Sequence, residues 1–258
     1  MSETADVEVF IAARAQRPSW PGIAEHLKPA TIADAYTLQR AIHAGLRAHG
    51  VTRVGYKVGS TSAAGQRAFG LHEPVAAGIF SDGRRATLAD ALSRQLHKPA
   101  LECEIVFVLS REIDGADPAL SATTIADAVA ACHIGCEIID RRYPDPAAVG
   151  VPSLIADDFF HESFVVGSEN QLWSGQDLAH VNASIEIDGN VTSGNAANVL
   201  SAFESVRWLA GKLAQLGTNL HAGDIVFTGA IVGPVDITLP ARSVTLSIDG
   251  FQPLTLRY

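Results

Sequence analysis

The sequence predicts an α+β protein with a β-rich carboxy-terminal part and a smaller, helix-rich amino-terminal part. Most strands expected after residue 100 are joined by tight turns or single helices, as at the Asp-Gly pairs Asp188-Gly189 and Asp249-Gly250. The clearest amphipathic helix lies before residue 50. We expect two parts, residues 1–95 and residues 96–258.

The helix expected over residues 31–49 has the best-defined ends in the amino-terminal part. Thr31 is a candidate N-cap with Asp34 three residues later, and Gly50 follows the last turn. The other elements expected before residue 100 are a helix over 7–17, a strand over 51–58, a short helix over 63–69, an irregular segment over 74–82 and a helix over 88–96.

Two apolar runs, residues 101–109 and 133–139, are the strands expected at the centre of the carboxy-terminal part, because they are apolar on both faces. The other elements expected there are a helix over 124–131, a loop over 144–152, strands over 164–166 and 183–187, a helix over 197–216 and strands over 225–228, 235–239, 244–248 and 253–257.

Two acidic residues stand at the start of the first apolar run. Glu102 and Glu104 are two positions apart, so in a strand their side chains project from the same face. Carboxylates that enter a covered site repel each other, so either one stays protonated or a cation lies between them. Oxygen ligands favour a hard cation such as Mg²⁺ or Mn²⁺. The alternative is a solvated strand end with two surface acids.

Composition excludes several classes of partner. Hydrophobic residues make up 47% and charged residues 18%, which favours a folded globular chain. A net charge of −9 argues against nucleic acid or an anionic membrane surface as the main partner. The acidic amino terminus does not resemble a signal peptide, and no apolar run has the length of a membrane span. The three cysteines are too few for a disulfide framework, so a cytoplasmic location is expected.

A set of short motifs occurs in a fixed order along the chain. Four of them are Gly55-Tyr-Lys-Val-Gly59, Leu101-Glu-Cys-Glu-Ile105, Glu137-Ile-Ile-Asp-Arg-Arg142 and Ala222-Gly-Asp-Ile-Val-Phe-Thr-Gly229. In order and spacing they resemble the 2-keto-4-pentenoate hydratase-like branch of the fumarylacetoacetate hydrolase superfamily, over roughly residues 30–250.

The resemblance implies a fumarylacetoacetate-hydrolase-like mixed β-roll, with the smaller amino-terminal part helping to cover the site. It implies that Glu102, Glu104 and Glu137 bind Mg²⁺ or Mn²⁺. The alternative for Glu137 is a buried acid paired with an arginine such as Arg142. The resemblance also implies a small 2-keto acid as substrate and a homo-oligomeric assembly.

Three further residues match functional motifs of that family. Lys57 corresponds to a lysine used for binding or proton handling, and a surface lysine is the alternative. Thr228 and Gly229 match a segment that lines the substrate side in relatives, and a plain strand-to-turn junction is the alternative.

The chain departs from the family pattern in two places. The segment Asp157–Ser163 replaces a small polar run, and Phe160 within it is expected to make the substrate pocket more apolar. His161 is a candidate general acid or base, or a loop histidine without a role. The acid that such hydratases often carry near Pro74 is absent from the stretch Pro74–Gly78.

The expected activity is therefore metal-dependent hydration of a 2-hydroxy-2,4-dienoate, which is the enol form of a 2-keto-4-enoate. The alternatives are a decarboxylase or a C–C bond hydrolase that acts on a related 2-keto or β-dicarbonyl acid, and a non-catalytic partner subunit, against which the intact Glu and Lys motifs argue. The apolar pocket edge favours monocarboxylic substrates with an extended apolar tail over substrates with a second carboxylate.

Overall fold

Two β-sheets form the framework of the protein. The computed structural model describes residues 7–12, 25–92, 96–143, 145–238 and 243–257. The strands are β1 (Arg53–Gly59), β2 (Val75–Phe80), β3 (Pro99–Leu109), β4 (Val129–Asp140), β5 (His161–Glu169), β6 (Asn182–Ile187), β7 (Asn190–Asn195), β8 (Ile225–Asp236), β9 (Ser243–Ile248) and β10 (Leu254–Arg257). The larger sheet has the order β2-β1-β8-β3-β4-β5, and the smaller has the order β10-β9-β6-β7. The predicted α+β class with a mixed β-roll is confirmed.

Helices cover the sheets. They are α1 (residues 7–12), α2 (Ile32–Ala48), α3 (Ala63–Phe69), α4 (Leu88–Ala91), α5 (Ala122–Ala126), α6 (Pro146–Val149), α7 (Val151–Ala156) and α8 (Ala202–Gln215). Helix α2 begins with the predicted capping box, in which the Thr31 side chain accepts the Asp34 N–H and the Asp34 carboxylate accepts the Thr31 N–H. No helix in the described ranges is both long and apolar enough to cross a membrane.

Strands β3 and β4 are the long central pair of the larger sheet. They run antiparallel, with Glu102 opposite Glu137 and Cys103 opposite Cys136. Strand β8 lies antiparallel to the other edge of β3, and β1 then lies parallel to β8. The predicted burial on both faces of β3 is confirmed, because its residues from Cys103 to Phe107 are all buried.

Several element boundaries differ from the prediction. Residues 75–80, expected to be irregular, form β2, which is buried throughout and pairs with β1. Their Ala and Gly content gives a weak strand signal, and pairing with β1 overrides it. The single strand β8 also replaces the two strands expected over 225–228 and 235–239, as far as residue 236.

The helix expected over residues 124–131 is displaced and shortened. Helix α5 ends at Ala126, and β4 begins at Val129 because residues 129–131 pair with the end of β3. The loop expected over residues 144–152 contains α6 and the start of α7. The helix expected over 88–96 is observed for Leu88–Ala91, and residues 93–95 lie outside the described ranges, as do 13–17 of the first predicted helix.

Candidate metal centre and active site

Five adjacent strands of the larger sheet bring the candidate site residues together. In sheet order these are β1, β8, β3, β4 and β5, so residues far apart in sequence become neighbours across the sheet. The residues are Lys57 on β1, Gly229 on β8, Glu102 and Glu104 on β3, Glu137 on β4 and His161 on β5.

The three predicted carboxylates form a cluster. One oxygen each from Glu102, Glu104 and Glu137 lies within 4.8 Å of the other two. Oxygens on opposite sides of a bound ion are about 4.2 Å apart for Mg²⁺ and about 5 Å apart for Ca²⁺. The second oxygen of Glu137 is buried and has no hydrogen-bond partner in the described ranges. The donor set and its spacing therefore fit a divalent cation.

The electrostatics of the cluster also favour a cation. Burial, together with the negative charge of Glu137, raises the pKa of Glu102 to about 8. The same causes raise the pKa of Glu104 well above its usual value. Burial also acts to raise the pKa of Glu137, but the charge of Lys57 and the hydrogen bond from His161 outweigh it and lower that pKa to about 2. Repulsion among these three closely spaced carboxylates, two of them buried, is relieved either by protons or by a bound cation.

Lys57 is buried beside this cluster. Its Nζ lies 3.0 Å from Glu137 Oε1 and donates a hydrogen bond of 2.9 Å to the carbonyl oxygen of Phe159. Burial acts to lower the pKa of Lys57, but the charges of Glu137 and Glu102 outweigh it and raise that pKa. Lys57 is therefore a cation that uses two of its three N–H groups on these partners. The predicted surface alternative does not fit, because the side chain is 3% exposed.

The carbonyl group that Lys57 contacts belongs to an unusual loop between α7 and β5. Asp158, Phe159 and Phe160 have φ values of 54°, 48° and 69°, so three consecutive non-glycine residues are left-handed. The Asp158 carboxylate accepts hydrogen bonds of 2.8 Å from His43 Nε2 and from the Gly78 N–H. The Asp158 carboxylate therefore lies next to the stretch Pro74–Gly78, which contains no acidic residue of its own.

His161 is buried in contact with Glu137. Its Nδ1 is 2.8 Å from Glu137 Oε1, and burial lowers the pKa of the imidazole. A neutral ring that donates from Nδ1 would orient the carboxylate, as ligand-supporting groups do in metal sites. The Nε2 atom is buried without a hydrogen-bond partner in the described part of the chain.

A cavity of about 600 Å³ opens beside Lys57 and Glu102. Three aromatic rings form one wall: the Phe69 and Phe159 centroids are 5.0 Å apart, and those of Phe159 and Phe160 are 5.4 Å apart. Phe160 therefore lies in a cavity wall, and its contact with substrate stays a prediction. The other lining residues are Val58, Gly59, Ser60, Thr61, Ser62, Ala64, Gly65, Ala68, Ile139, Arg141, Pro146, Ala230, Gly233 and Pro234.

The two predicted substrate-side residues of β8 both form hydrogen bonds to β3. The Gly229 N–H donates a 2.7 Å hydrogen bond to Glu104 Oε2, and the Thr228 hydroxyl donates to the Ile105 carbonyl at 2.9 Å. Gly229 has a φ of +113°, and a Cβ there would lie 2.4 Å from the Thr61 side chain. Neither Thr228 nor Gly229 is among the cavity-lining residues, and substrate contact for them stays a prediction.

Sequence reasoning missed two features of the site. The Phe159 carbonyl is a backbone group and has no sequence signal. Arg141 could have been found, since Glu137, Ile139 and Arg141 alternate along one strand face. The alternative partner proposed for Glu137, Arg142, instead pairs with Asp157 at 3.1 Å.

Several known proteins are similar to this chain in sequence over most of its length. Residues 63–257 match the family model described as fumarylacetoacetate (FAA) hydrolase C-terminal. A 2-keto-4-pentenoate hydratase from Burkholderia vietnamiensis is 32% identical over 223 residues, which cover 84% of this chain and 82% of that protein. A 4-oxalocrotonate decarboxylase from Pseudomonas sp. strain CF600 is 28% identical over 254 residues, covering 92% and 89%.

A solved structure has the same fold. The 4-oxalocrotonate decarboxylase from Pseudomonas putida G7, complexed with calcium and acetate, matches with a TM-score of 0.84 at 25% identity. The match covers 99% of this chain and 96% of that one, so it includes both sheets and every strand that carries a candidate site residue.

Proposed function

The chain belongs to the 2-keto-4-pentenoate hydratase-like branch of the fumarylacetoacetate hydrolase superfamily, and from this premise we propose that it is a divalent-metal-dependent hydro-lyase. The substrate is a 2-hydroxy-2,4-dienoate or its 2-keto-4-enoate tautomer, and the product is a 4-hydroxy-2-keto acid. The observation that carries this proposal is the placement of three clustered carboxylates and a buried lysine beside an apolar cavity.

Glu102, Glu104 and Glu137 would hold the cation, with Mg²⁺ or Mn²⁺ as the expected ion. When bound, such an ion would stabilise negative charge on the C2 oxygen of a 2-keto acid. His161 acts as a positioning residue, because its contact to Glu137 fixes the orientation of that carboxylate.

Lys57 is the residue proposed to touch the substrate. Its remaining N–H group is available to donate to the substrate's carboxylate or C2 oxygen. Ketonisation moves the C2 hydroxyl proton to C5 and leaves a C3=C4 double bond conjugated with the new carbonyl group. Water then adds at C4, and a proton adds at C3. Lys57 supports both steps by stabilising the oxygen on which negative charge develops.

The alternatives receive less support. Two 4-oxalocrotonate decarboxylase relatives are 28% and 29% identical, against 32% for the hydratase from Burkholderia vietnamiensis. A C–C bond hydrolase needs a base that activates water, and the candidate base His161 contacts Glu137 and is not among the described cavity-lining residues.

The test is an assay of 2-hydroxy-dienoates and 2-keto acids with Mg²⁺ or Mn²⁺, with products identified by mass. We expect a gain of one water, and activity lost on chelation that returns with metal. Loss of CO₂, or two fragments, would replace the hydratase by one of the alternatives. The homo-oligomeric state, the cytoplasmic location and the lack of a nucleic-acid partner stay predictions.

A further inference from the structure

A positively charged side chain, Arg141, lines the candidate active-site cavity in addition to Lys57, and its charge acts on Glu102. Glu137, Ile139 and Arg141 alternate along β4 and its continuation, and the last two line the cavity. At the rise of an extended strand, the Cα atoms of Glu137 and Arg141 are roughly 13 Å apart. The cavity wall therefore runs from the metal ligands, past an apolar residue, to a guanidinium group.

The surroundings of Arg141 leave part of its hydrogen-bonding capacity available. Its Nη1 pairs with Asp236 at the end of β8, and Lys98 Nζ lies 3.5 Å from the same carboxylate. Arg141 and Lys98 thus share the single negative charge of Asp236, so this group of three side chains has a net positive charge. The Arg141 side chain is 27% exposed, and a guanidinium has five N–H donors arranged to bind carboxylates.

The rest of the described cavity lining offers little to a second anion. Apart from Arg141, its charged side chains are Lys57 and Glu102, which belong to the metal-centre end. The other lining residues are Phe69, Phe159 and Phe160 and a set of small residues, of which Ser60, Thr61 and Ser62 offer hydroxyl groups but no charge. Away from Lys57, Arg141 is therefore the positive charge in the described lining with which a substrate carboxylate could pair.

We infer that Arg141 is a specificity-determining residue that binds a second carboxylate at the distal end of the substrate. This inference rests on the proposed function, because it takes the first carboxylate and its 2-keto group to be bound at the Glu102 end. The Cα spacing along the strand leaves room for a substrate chain between the two ends. It reverses the expectation of monocarboxylic substrates, which assumed that no arginine reaches the pocket.

The competing explanation is that Arg141 only clamps the end of β4 to the end of β8 through Asp236. Two substitutions separate the explanations. Arg141→Met removes both the clamp and the proposed subsite, whereas Asp236→Asn weakens the clamp but releases the guanidinium. A structural clamp predicts similar effects of both changes, and a carboxylate subsite predicts effects of opposite sign on diacid binding.

The experiment measures dissociation constants of 2-oxoheptanedioate and 2-oxoheptanoate by calorimetry in Mg²⁺, so it does not depend on turnover. We expect the wild-type protein to bind the diacid more tightly, and Arg141→Met to reduce that preference by roughly tenfold, the lower end for a charged hydrogen bond at a partly exposed site. Asp236→Asn should keep or increase the preference, and Arg141→Lys should retain part of it. Thermal unfolding of each variant checks that it is folded.

Three results would overturn the inference. They are an unchanged diacid preference in Arg141→Met, an equal loss of diacid preference in Arg141→Met and Asp236→Asn, and a wild-type preference for the monoacid. Hydration of matched dienoates is assayed in parallel. If both keto acids bind with the expected pattern but neither dienoate is hydrated, the hydratase proposal fails while the Arg141 subsite stands.

Discussion

Lys57 is the residue whose charge most affects the balance of the candidate active site. It lies within 3.0 Å of one carboxylate and is held from the other side by a backbone carbonyl group. A neutral residue in its place leaves Glu137 with less compensation, which strengthens the demand for a bound cation. Loss of Lys57 should therefore affect catalysis and metal binding in different directions.

We predict that Lys57→Met retains the metal and loses most turnover. Removal of one well-placed charged donor typically lowers kcat by ~10²–10³. Metal content by elemental analysis and steady-state kinetics check both parts. Lys28→Met, at a lysine paired with Glu25 outside the site, is the matched control and should leave kcat unchanged. Near-normal kcat in Lys57→Met would show that this lysine does not act on the substrate.

We predict that Glu104→Gln binds the divalent cation more weakly and is nearly inactive, while the protein stays folded. The amide keeps the shape and can still accept the Gly229 N–H, but it removes one negative charge from a hard-ion site. Calorimetric titration with Mg²⁺ or Mn²⁺ and circular dichroism provide the measurement. The control is Glu112→Gln, at an exposed acid. Unaltered metal affinity in Glu104→Gln would remove Glu104 from the ligand set.

We predict that Phe160→Ser weakens selection for an apolar tail. Phe160 is 7% exposed and lies in the aromatic wall of the cavity. In an apolar pocket, the addition or removal of one apolar group of the substrate changes kcat/KM by roughly 10–200-fold. The ratio of kcat/KM between long-tailed and short-tailed monocarboxylic dienoates should fall in the variant. Leu172→Ser, at an exposed leucine, is the control. An unchanged ratio would mean that the ring does not meet the tail.

Among the structural elements, the loop between α7 and β5 is the one most clearly held under strain. Each left-handed non-glycine residue is disfavoured by roughly 1–2 kcal/mol, and Asp158, Phe159 and Phe160 are three in succession. Hydrogen bonds from His43 and Gly78 to the buried Asp158 carboxylate hold the loop in place. The loop in turn presents the Phe159 carbonyl to Lys57, so α2 and β2 act on the site through it.

We predict that Asp158→Ala destabilises the protein by about 2–3 kcal/mol, because it leaves the Gly78 N–H and His43 without their acceptor. Because the Phe159 carbonyl then moves away from Lys57, kcat should fall more than KM changes. Denaturant unfolding and steady-state kinetics test this. Asp158→Asn is the conservative control, since asparagine tolerates left-handed φ and keeps one acceptor. Equal effects of Ala and Asn would contradict the role of the carboxylate.

Elements with strong local signals were predictable from sequence, and those that depend on partners were not. The capping box at Thr31 and the turn at Asp188 are local, and both are present. Strand β2 was missed because its small residues become a strand only through pairing with β1. The loop at Phe159 was read as a pocket edge from its side chains, but its left-handed backbone depends on long-range hydrogen bonds that no local pattern carries.

For the candidate site, residue types were predictable and their mutual positions were not. The carboxylates could be assigned by motif because Glu102 and Glu104 share a strand face and Glu137 lies in a second apolar strand. His161 contacts Glu137 and does not line the described cavity. This position follows from the register of β5 against β4, in which His161 lies opposite Ile139. Such registers are set by the whole sheet.

At the scale of the whole molecule, the larger sheet combines strands from both expected parts of the chain around the carboxylate cluster. Strands β1 and β2 precede the expected boundary at residue 95, yet they extend the sheet built by β3, β4, β5 and β8. The division into two parts stays a prediction. The carboxylate cluster lies at the centre of this shared sheet, so its charge state acts on global stability.

We predict that a divalent cation stabilises the protein more at pH 8 than at pH 5.5. Glu102 has a pKa raised to about 8, against about 4.3 in an unfolded chain, so the metal-free folded state holds a proton that the unfolded state has released. Between those values Glu102 makes the folding stability of the metal-free protein fall as pH rises. The lowered pKa of His161 acts in the opposite sense, but only below its unfolded value of about 6.5, so the decline is clearest between about pH 6.5 and pH 8. The lowered pKa of Glu137 acts only below about pH 4.3, outside this window.

Bound cation replaces the proton on the carboxylate cluster, and it competes better as the proton concentration falls. Melting temperatures are measured with Mg²⁺ and with chelator from pH 5.5 to 8. The difference between the two at each pH is the metal increment. The Glu102→Gln variant has no titrating group at this position. The melting temperature of its metal-free form should therefore fall less as pH rises, and the rise in melting temperature caused by Mg²⁺ should depend less on pH. A metal increment that is constant or larger at pH 5.5 would show that the buried carboxylates do not exchange protons for a cation.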